Sequence, residues 1–163
     1  MKKLTALLLI CVSTLALAQS KINYKKRGAA IPPFTLEAAN GQILTNAVLR
    51  PGRPVLLMIF SPDCEHCSHK LDTLSALGGG FKSTQVLLVT ELRNKANFAP
   101  FMKKKGLNKL PQFKNAGLDR GDLIANVYTY QLLPQYNFYN AQGKLVKTFS
   151  GNAPVDSLQM FIK

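Results

Sequence analysis

Every position from 55 to 60 is apolar, and so is every position from 86 to 89, whereas the other segments after residue 18 mix apolar and polar residues. Short runs with no polar interruption fit strands covered on both faces, as at the middle of a parallel sheet. The stretch between them is long enough for a crossover helix. Cys67, Leu71, Leu74 and Gly78, spaced by four, three and four, mark its buried stripe, and Glu65, His69 and Asp72 fall off it. Gly78, Gly79 and Gly80 end that helix, so the pattern predicts a βαβ unit with a parallel strand pair.

Around this unit the pattern predicts smaller elements. Residues 34–36 and 42–44, separated by Asn40-Gly41, form a short hairpin, and Pro51-Gly52-Arg53-Pro54 is a hard break before the first apolar run. Residues 94–105 form an amphipathic helix that Gly106 caps. The next segment is less regular: a strand at 110–113 and a helix at 122–128, with Leu123, Ile124, Val127 and Tyr128 on one side, fit it best. Residues 136–139 and 144–149 make a second hairpin across 140–143, and Pro154 opens a closing helix that runs to Lys163. Tyr128, Tyr130, Tyr136 and Tyr139 are expected as core and edge aromatics.

The first residues look like a removable leader. Lys2 and Lys3 precede an apolar stretch at 4–17, and Ala16-Leu17-Ala18 supplies the small-x-small cleavage pattern, so a cut after Ala18 and a periplasmic or secreted protein are expected. The stretch is shorter than the roughly 20 residues that cross a bilayer, so no stable membrane insertion is expected after cleavage. Ile10 stands before Cys11, where lipoprotein processing needs a small residue. Taking 18 leader residues from 163 leaves 145, enough for one domain, assigned to 31–163 behind a polar, flexible segment at 19–30. Loss of two leader lysines takes the net charge from +13 to +11. The basic residues are spread out, with short clusters only at Lys25-Lys26-Arg27 and Lys103-Lys104-Lys105, so a solvated surface and no nucleic-acid partner are expected.

With Cys11 in the leader, the chain's remaining thiols are those of Cys64-Glu65-His66-Cys67, at the start of the crossover helix. Backbone N–H groups and the positive end of the helix dipole favour a thiolate there, which makes Cys64 the candidate nucleophile. Cys67 lies one turn deeper on the buried stripe, within reach, and is the candidate resolving thiol. Such a pair interconverts between dithiol and disulfide and needs no other cofactor. A protonated His66 favours the thiolate and an oxidising pair; Asp63 and Glu65 oppose it and tilt the balance towards a reductant. The energies are small, since about 30 mV corresponds to about 1.4 kcal/mol. Two rival functions remain open. A zinc or copper site, serving metal binding or delivery, has Cys64, Cys67, His66 and His69 as ligands, although His69 points off the cysteine stripe and no further histidine exists. A non-catalytic binding domain with a structural disulfide is the other. Haem attachment is excluded, because Ser68 stands where histidine is required.

An apolar strand, CxxC at a helix start, a second parallel strand, Leu133-Pro134 ahead of an antiparallel hairpin and a last helix together resemble the thioredoxin fold over residues 31–163. The first hairpin, Ile31-Pro32-Pro33-Phe34 before it and Gly52-Arg53-Pro54 after it are similar to extracytoplasmic TlpA/ResA-type thiol-disulfide oxidoreductases. The resemblance implies an α/β fold, with a central mixed β-sheet flanked by helices and an added N-terminal β-hairpin. It implies that Pro134 is cis and lies against the CxxC, that Leu133 contacts substrate, and that an extra strand-helix element precedes the proline. Expected partners are protein thiol or disulfide substrates and an upstream membrane or extracytoplasmic electron donor. Glu65 matches the ResA-type reductases, His66 is similar to disulfide isomerases, and copper-delivery proteins of the Sco type space their cysteines differently. The chain departs from the pattern in three places: the strand at 55–60 holds no acid, Asp63 replaces Trp, and Lys70 stands where related proteins carry an acid. Glu91 is the candidate acceptor for the Cys67 proton, because parallel neighbouring strands end on one edge of the sheet.

Overall fold

The computed structural model describes residues 23–81 and 83–162. The expected leader, its cut after Ala18, residues 19–22 and the terminal Lys163 lie outside the described residues.

Strands β3 (Val55–Ile59) and β4 (Gln85–Glu91) pair in parallel from Val55↔Gln85 to Ile59↔Val89, and helix α1 (Glu65–Ala76) crosses between them. All five residues of β3 are buried, which is why its sequence shows no polar face. After β4, helix α2 (Lys95–Lys104) leads to β5 (Asn115–Asp119), parallel to β4. On the other side of β3 lies β6 (Gln135–Tyr139), antiparallel to it, and then β7 (Leu145–Ser150). The hairpin of β1 (Thr35–Glu37) and β2 (Ile43–Thr45) adds to β5, completing the order β2-β1-β5-β4-β3-β6-β7. A short helix, α3 (Val155–Gln159), closes the described chain.

Period-two alternation divides the strand side chains between two cores. On one face, Leu56, Met58, Val86 and Leu88 meet Cys67 and Leu71 of α1, Phe98 and Met102 of α2, and Leu158 of α3. On the other, Leu57, Ile59, Leu87 and Val89 meet Leu123, Ile124 and Tyr128, with Phe34 and Leu44 from the hairpin region. Both faces are therefore covered. The backbone of residues 28–31 runs against the start of β7, with Gly28 N–H donating to Leu145 O at 2.8 Å and Leu145 N–H to Ala29 O at 2.8 Å. That part of the lead-in is thus held to the domain.

The region before the cis proline differs from expectation. The predicted strand at 110–113 is instead a pair of 3-10 turns, Leu107–Lys109 and Pro111–Phe113, and the strand is β5, a few residues later. Pro111 has no N–H to give to a ladder, so the apolar residues around it pack as turns. β5 itself reads Asn-Ala-Gly-Leu-Asp, and pairing on both sides makes it a strand. Residues 124–128 form a π-helical turn.

Gly117 shows how tightly β5 and β1 approach. A Cβ there would lie 2.8 Å from Leu36 Cβ and 3.0 Å from the Glu37 carbonyl oxygen. Gly117→Ala is therefore expected to destabilise the fold by about 1–3 kcal/mol, the usual range for an overpacked core. A lower urea midpoint at unchanged m would show it; an unchanged midpoint would mean that β1 yields freely.

Candidate active site

β3 ends at Ile59, the chain turns through Ser61, Pro62 and Asp63, and Cys64 becomes the N-cap of α1. Its extended backbone, φ −91° and ψ 110°, lets its sulfur face the exposed first turn, where Sγ accepts a hydrogen bond from Cys67 N–H at 3.1 Å. Its carbonyl accepts from Ser68 N–H at 3.0 Å, the first bond of the helix ladder. Cys64 thus fills a position usually held by Ser, Thr, Asp or Asn, and fills it with sulfur. The same N–H that satisfies the helix end stabilises negative charge on that sulfur when the pair is reduced.

Cys64 and Cys67 are joined in a disulfide, with Cα atoms 5.2 Å apart. The two sulfurs differ in surroundings: Cys67 is fully buried in the core beneath α1, whereas Cys64 is partly exposed at its margin. An external thiol or disulfide therefore meets Cys64 first. Asp63 and Glu65 flank it, and His66 is exposed beside them. Asn97 of α2 donates to both carboxylate oxygens of Asp63, at 3.1 and 3.4 Å. Glu65 reaches His69 across one turn at 3.5 Å, an exposed pairing that turns His69 away from the sulfurs. Among the described residues, no group of three or more His, Cys, Asp or Glu side chains is placed to hold a metal ion.

The Leu133–Pro134 peptide bond is cis. Gln135 is opposite Ile59 in the β3–β6 ladder, so one further step of that register sets Pro134 level with Phe60, at the edge from which the CxxC departs. Pro134 O accepts from Gly151 N–H at 2.9 Å, which anchors the proline to the end of β7. Leu133 is partly buried between the two cores, and Leu132 beside it is 63 % exposed.

Glu91 ends β4 on the same sheet edge, as expected, yet its side chain does not join the cysteines. It continues the alternation of Leu87 and Val89, which belong to the core on the face opposite Cys67. There its Oε1 accepts from the Tyr130 hydroxyl at 2.7 Å, and it pairs with Arg93. Burial, then the bond to Glu91, raises the pKa of Tyr130. Deeper in that core Tyr128 and Tyr139 share a 2.6 Å hydroxyl contact; burial pushes Tyr139 up to about 12 and raises Tyr128 as well.

Lys70 is the residue that the stripe of Cys67, Leu71 and Leu74 did not include. It is buried with them, and its Nζ donates to Ala153 O at 2.7 Å. Its spacing of three from Cys67 was the available signal, masked by the expectation that a lysine faces water.

No family model matches the chain, and neither does any curated protein. Solved structures do. A putative thioredoxin from Neisseria meningitidis superposes with a TM-score of 0.65 at 22 % identity, covering 83 % of this chain and 87 % of that one. The thioredoxin domain of a thiol-disulfide oxidoreductase from Bacteroides vulgatus gives 0.67 at 17 % identity, covering 85 % and 99 %. A secreted Mycobacterium tuberculosis disulfide oxidoreductase, described as homologous to DsbE of E. coli, gives 0.63 at 22 % identity, covering 78 % and 92 %. The fold is thioredoxin-like. It has the central mixed sheet flanked by helices and, in β1 and β2, the added N-terminal hairpin. At these identities the likeness is one of architecture, and the chemistry has to be argued from the residues.

Because Glu91 faces the other core, Glu91→Gln is expected to leave the alkylation rate of Cys67 in a Cys64→Ser background within about twofold of the parent, as for sites that share no partners. A larger fall would tie Glu91 to the Cys67 proton after all.

Proposed function

We propose that the chain is an extracytoplasmic thiol-disulfide oxidoreductase that reduces disulfides of substrate proteins by dithiol-disulfide exchange through Cys64 and Cys67. One observation carries this proposal: a partly exposed N-cap sulfur, hydrogen-bonded to a first-turn N–H, is bonded to a fully buried partner one turn below. That asymmetry gives the pair an attacking and a resolving member.

In the reduced protein the Cys64 thiolate attacks one sulfur of a substrate disulfide. A bond from Cys64 to that sulfur forms, the substrate S–S bond breaks, and the other substrate sulfur leaves as a thiolate and takes up a proton. The Cys67 thiolate then attacks Cys64 Sγ. The Cys64–Cys67 bond forms as the mixed disulfide breaks, and the second substrate thiolate leaves and is protonated. The substrate gains two electrons, the pair becomes the disulfide, and a donor dithiol outside the cytoplasm restores it by the reverse steps. Asp63 and Glu65, beside Cys64, disfavour its thiolate and support the reducing direction, with His66 opposing them. Leu133 and cis Pro134, at the same sheet edge, are assigned to holding the substrate backbone against the exposed sulfur, and the exposed Leu132 extends that apolar lip.

The compartment follows from the leader: residues 1–18 are assigned as a signal peptide, 19–30 as a connecting segment and 31–163 as the functional domain. Among the described residues no helix is long and apolar enough to cross a membrane. The Mycobacterium protein of like fold is described as secreted, which is in keeping with this assignment.

Cys64→Ser is expected to abolish reduction of insulin or another model disulfide. Cys67→Ser is expected to accumulate covalent mixed disulfides with substrate that dithiothreitol releases. Full reductase activity in Cys64→Ser would refute the mechanism. A disulfide that stays closed against glutathione, with a potential below about −300 mV, would mark the pair as structural.

A further inference from the structure

Lys70 and Asp119 are the two charged side chains buried among the described residues. Asp119 lies on the face away from Cys67, and its carboxylate accepts from Gly121 N–H and Ile124 N–H at 3.1 and 2.7 Å. Lys70 is different. It follows Cys67 by three positions, a spacing at which Cβ atoms on a helix are about 5–6 Å apart. Long helical side chains lean back over the turn N-terminal to their own Cα, which for Lys70 is the turn of Cys67. Its Nζ bonds to Ala153 O, a neutral carbonyl in the segment that also holds cis Pro134 through Gly151. A buried charge without a counter-ion is costly, so the site is built to favour a negative group nearby.

Among the described residues, the groups around Cys67 leave one candidate for that charge. From β6, Tyr136 enters the same core, and burial raises its pKa, so it stays neutral. β3 with the residue after it, β4 and α2 present Met58, Phe60, Leu88, Phe98 and Met102 there, all uncharged. On α1, Glu65 pairs with His69 and Asp72 pairs with Lys105, while His66 is exposed. Asp63 ahead of α1 bonds to Asn97, and Asp156 on α3 is exposed. Cys67 itself can be the anion.

We propose that Lys70 is a positioning residue whose buried ammonium is the counter-charge of the Cys67 thiolate in the reduced pair. This rests on the exchange chemistry proposed above and deepens it. In the resolving step Lys70 neither gives nor takes a proton: the Cys67 proton passes to water, the thiolate attacks Cys64 Sγ, and the bonding electrons of the mixed disulfide leave with the substrate sulfur, which water protonates. Each unit by which the Cys67 pKa falls towards ambient pH raises the thiolate fraction about tenfold. Intrinsic nucleophilicity falls about threefold over the same unit, which leaves a net gain of about threefold to fourfold. The same stabilisation favours the dithiol form. Lys70 therefore makes the pair less reducing than Asp63 and Glu65 alone would set it.

The test titrates Cys67 in a Cys64→Ser background, by ultraviolet thiolate absorbance and by alkylation rate against pH. Lys70→Gln removes the charge and keeps a donor for Ala153 O; Lys70→Met removes both; Lys70→Arg keeps both. Gln and Met are expected to raise the Cys67 pKa by about one unit or more, the scale of a nearby opposite charge, and Arg to restore it. In the two-cysteine protein, Lys70→Gln should shift the glutathione equilibrium towards the disulfide, approaching about tenfold, or about 30 mV more reducing, at a pH above the Cys67 pKa of both proteins and little below them. If Lys70→Gln titrates like the parent, or if Lys70→Met alone shifts, Lys70 is only a tether to Ala153 and the proposal is overturned. A parent protein that exchanges with no disulfide would refute the exchange mechanism, while the Cys64→Ser titration would still decide the role of Lys70.

Discussion

The hydrogen bond from Cys67 N–H to Cys64 Sγ depends on where β3 stops. A fully buried strand delivers the chain to the sheet edge, and a short turn later the helix that must cross back over the sheet begins. Its first N–H groups have no partners within the helix, and the side chain at the cap position is the one that meets them. Placing cysteine there couples helix capping to thiol chemistry: the interaction that begins α1 also stabilises the reactive sulfur. The register of β6 against β3 then brings the cis proline to the same edge, so the site is assembled by strand pairing as much as by its own residues.

Electrostatically, the two sides of the pair are unlike. Around Cys64 the charges lie at the surface and are of mixed sign, and water screens them. Among the described residues around Cys67 the surroundings are uncharged except for Lys70, where a single charge acts in a low dielectric and counts for more. Two acids at the surface and one buried cation therefore pull in opposite directions on different sulfurs, and the poise of the pair is their difference.

Much of this was legible in the chain. β3 and β4 were readable because burial on both faces removes every polar position, and the CxxC at the head of α1 followed from the strand that precedes it. β5 was not, because Asn115, Ala116, Gly117 and Asp119 carry little strand preference; it is a strand through its pairing with β4 and β1, and Gly117 is there because β1 comes so close. The apolar Leu110 and Phe113 drew the expected strand to turns instead. For Glu91 the sheet edge was inferred correctly, but the face was not considered; counting by two from Leu87 and Val89 places it in the other core. Lys70 was hidden because the buried stripe of α1 is wider than its apolar residues alone indicate.

The backbone of residues 28–31 lying along the start of β7 has a bearing on the company this protein keeps. β7 is the outermost strand on its side, and a bare ladder there would invite any extended chain to add itself. The chain's own lead-in occupies part of that rim, Lys144 and Lys147 stud its exposed surface, and the opposite rim, β2, is three residues long. On the exchange function proposed above, the chain thus offers a partner its exposed sulfur while giving an extended strand little to zip onto.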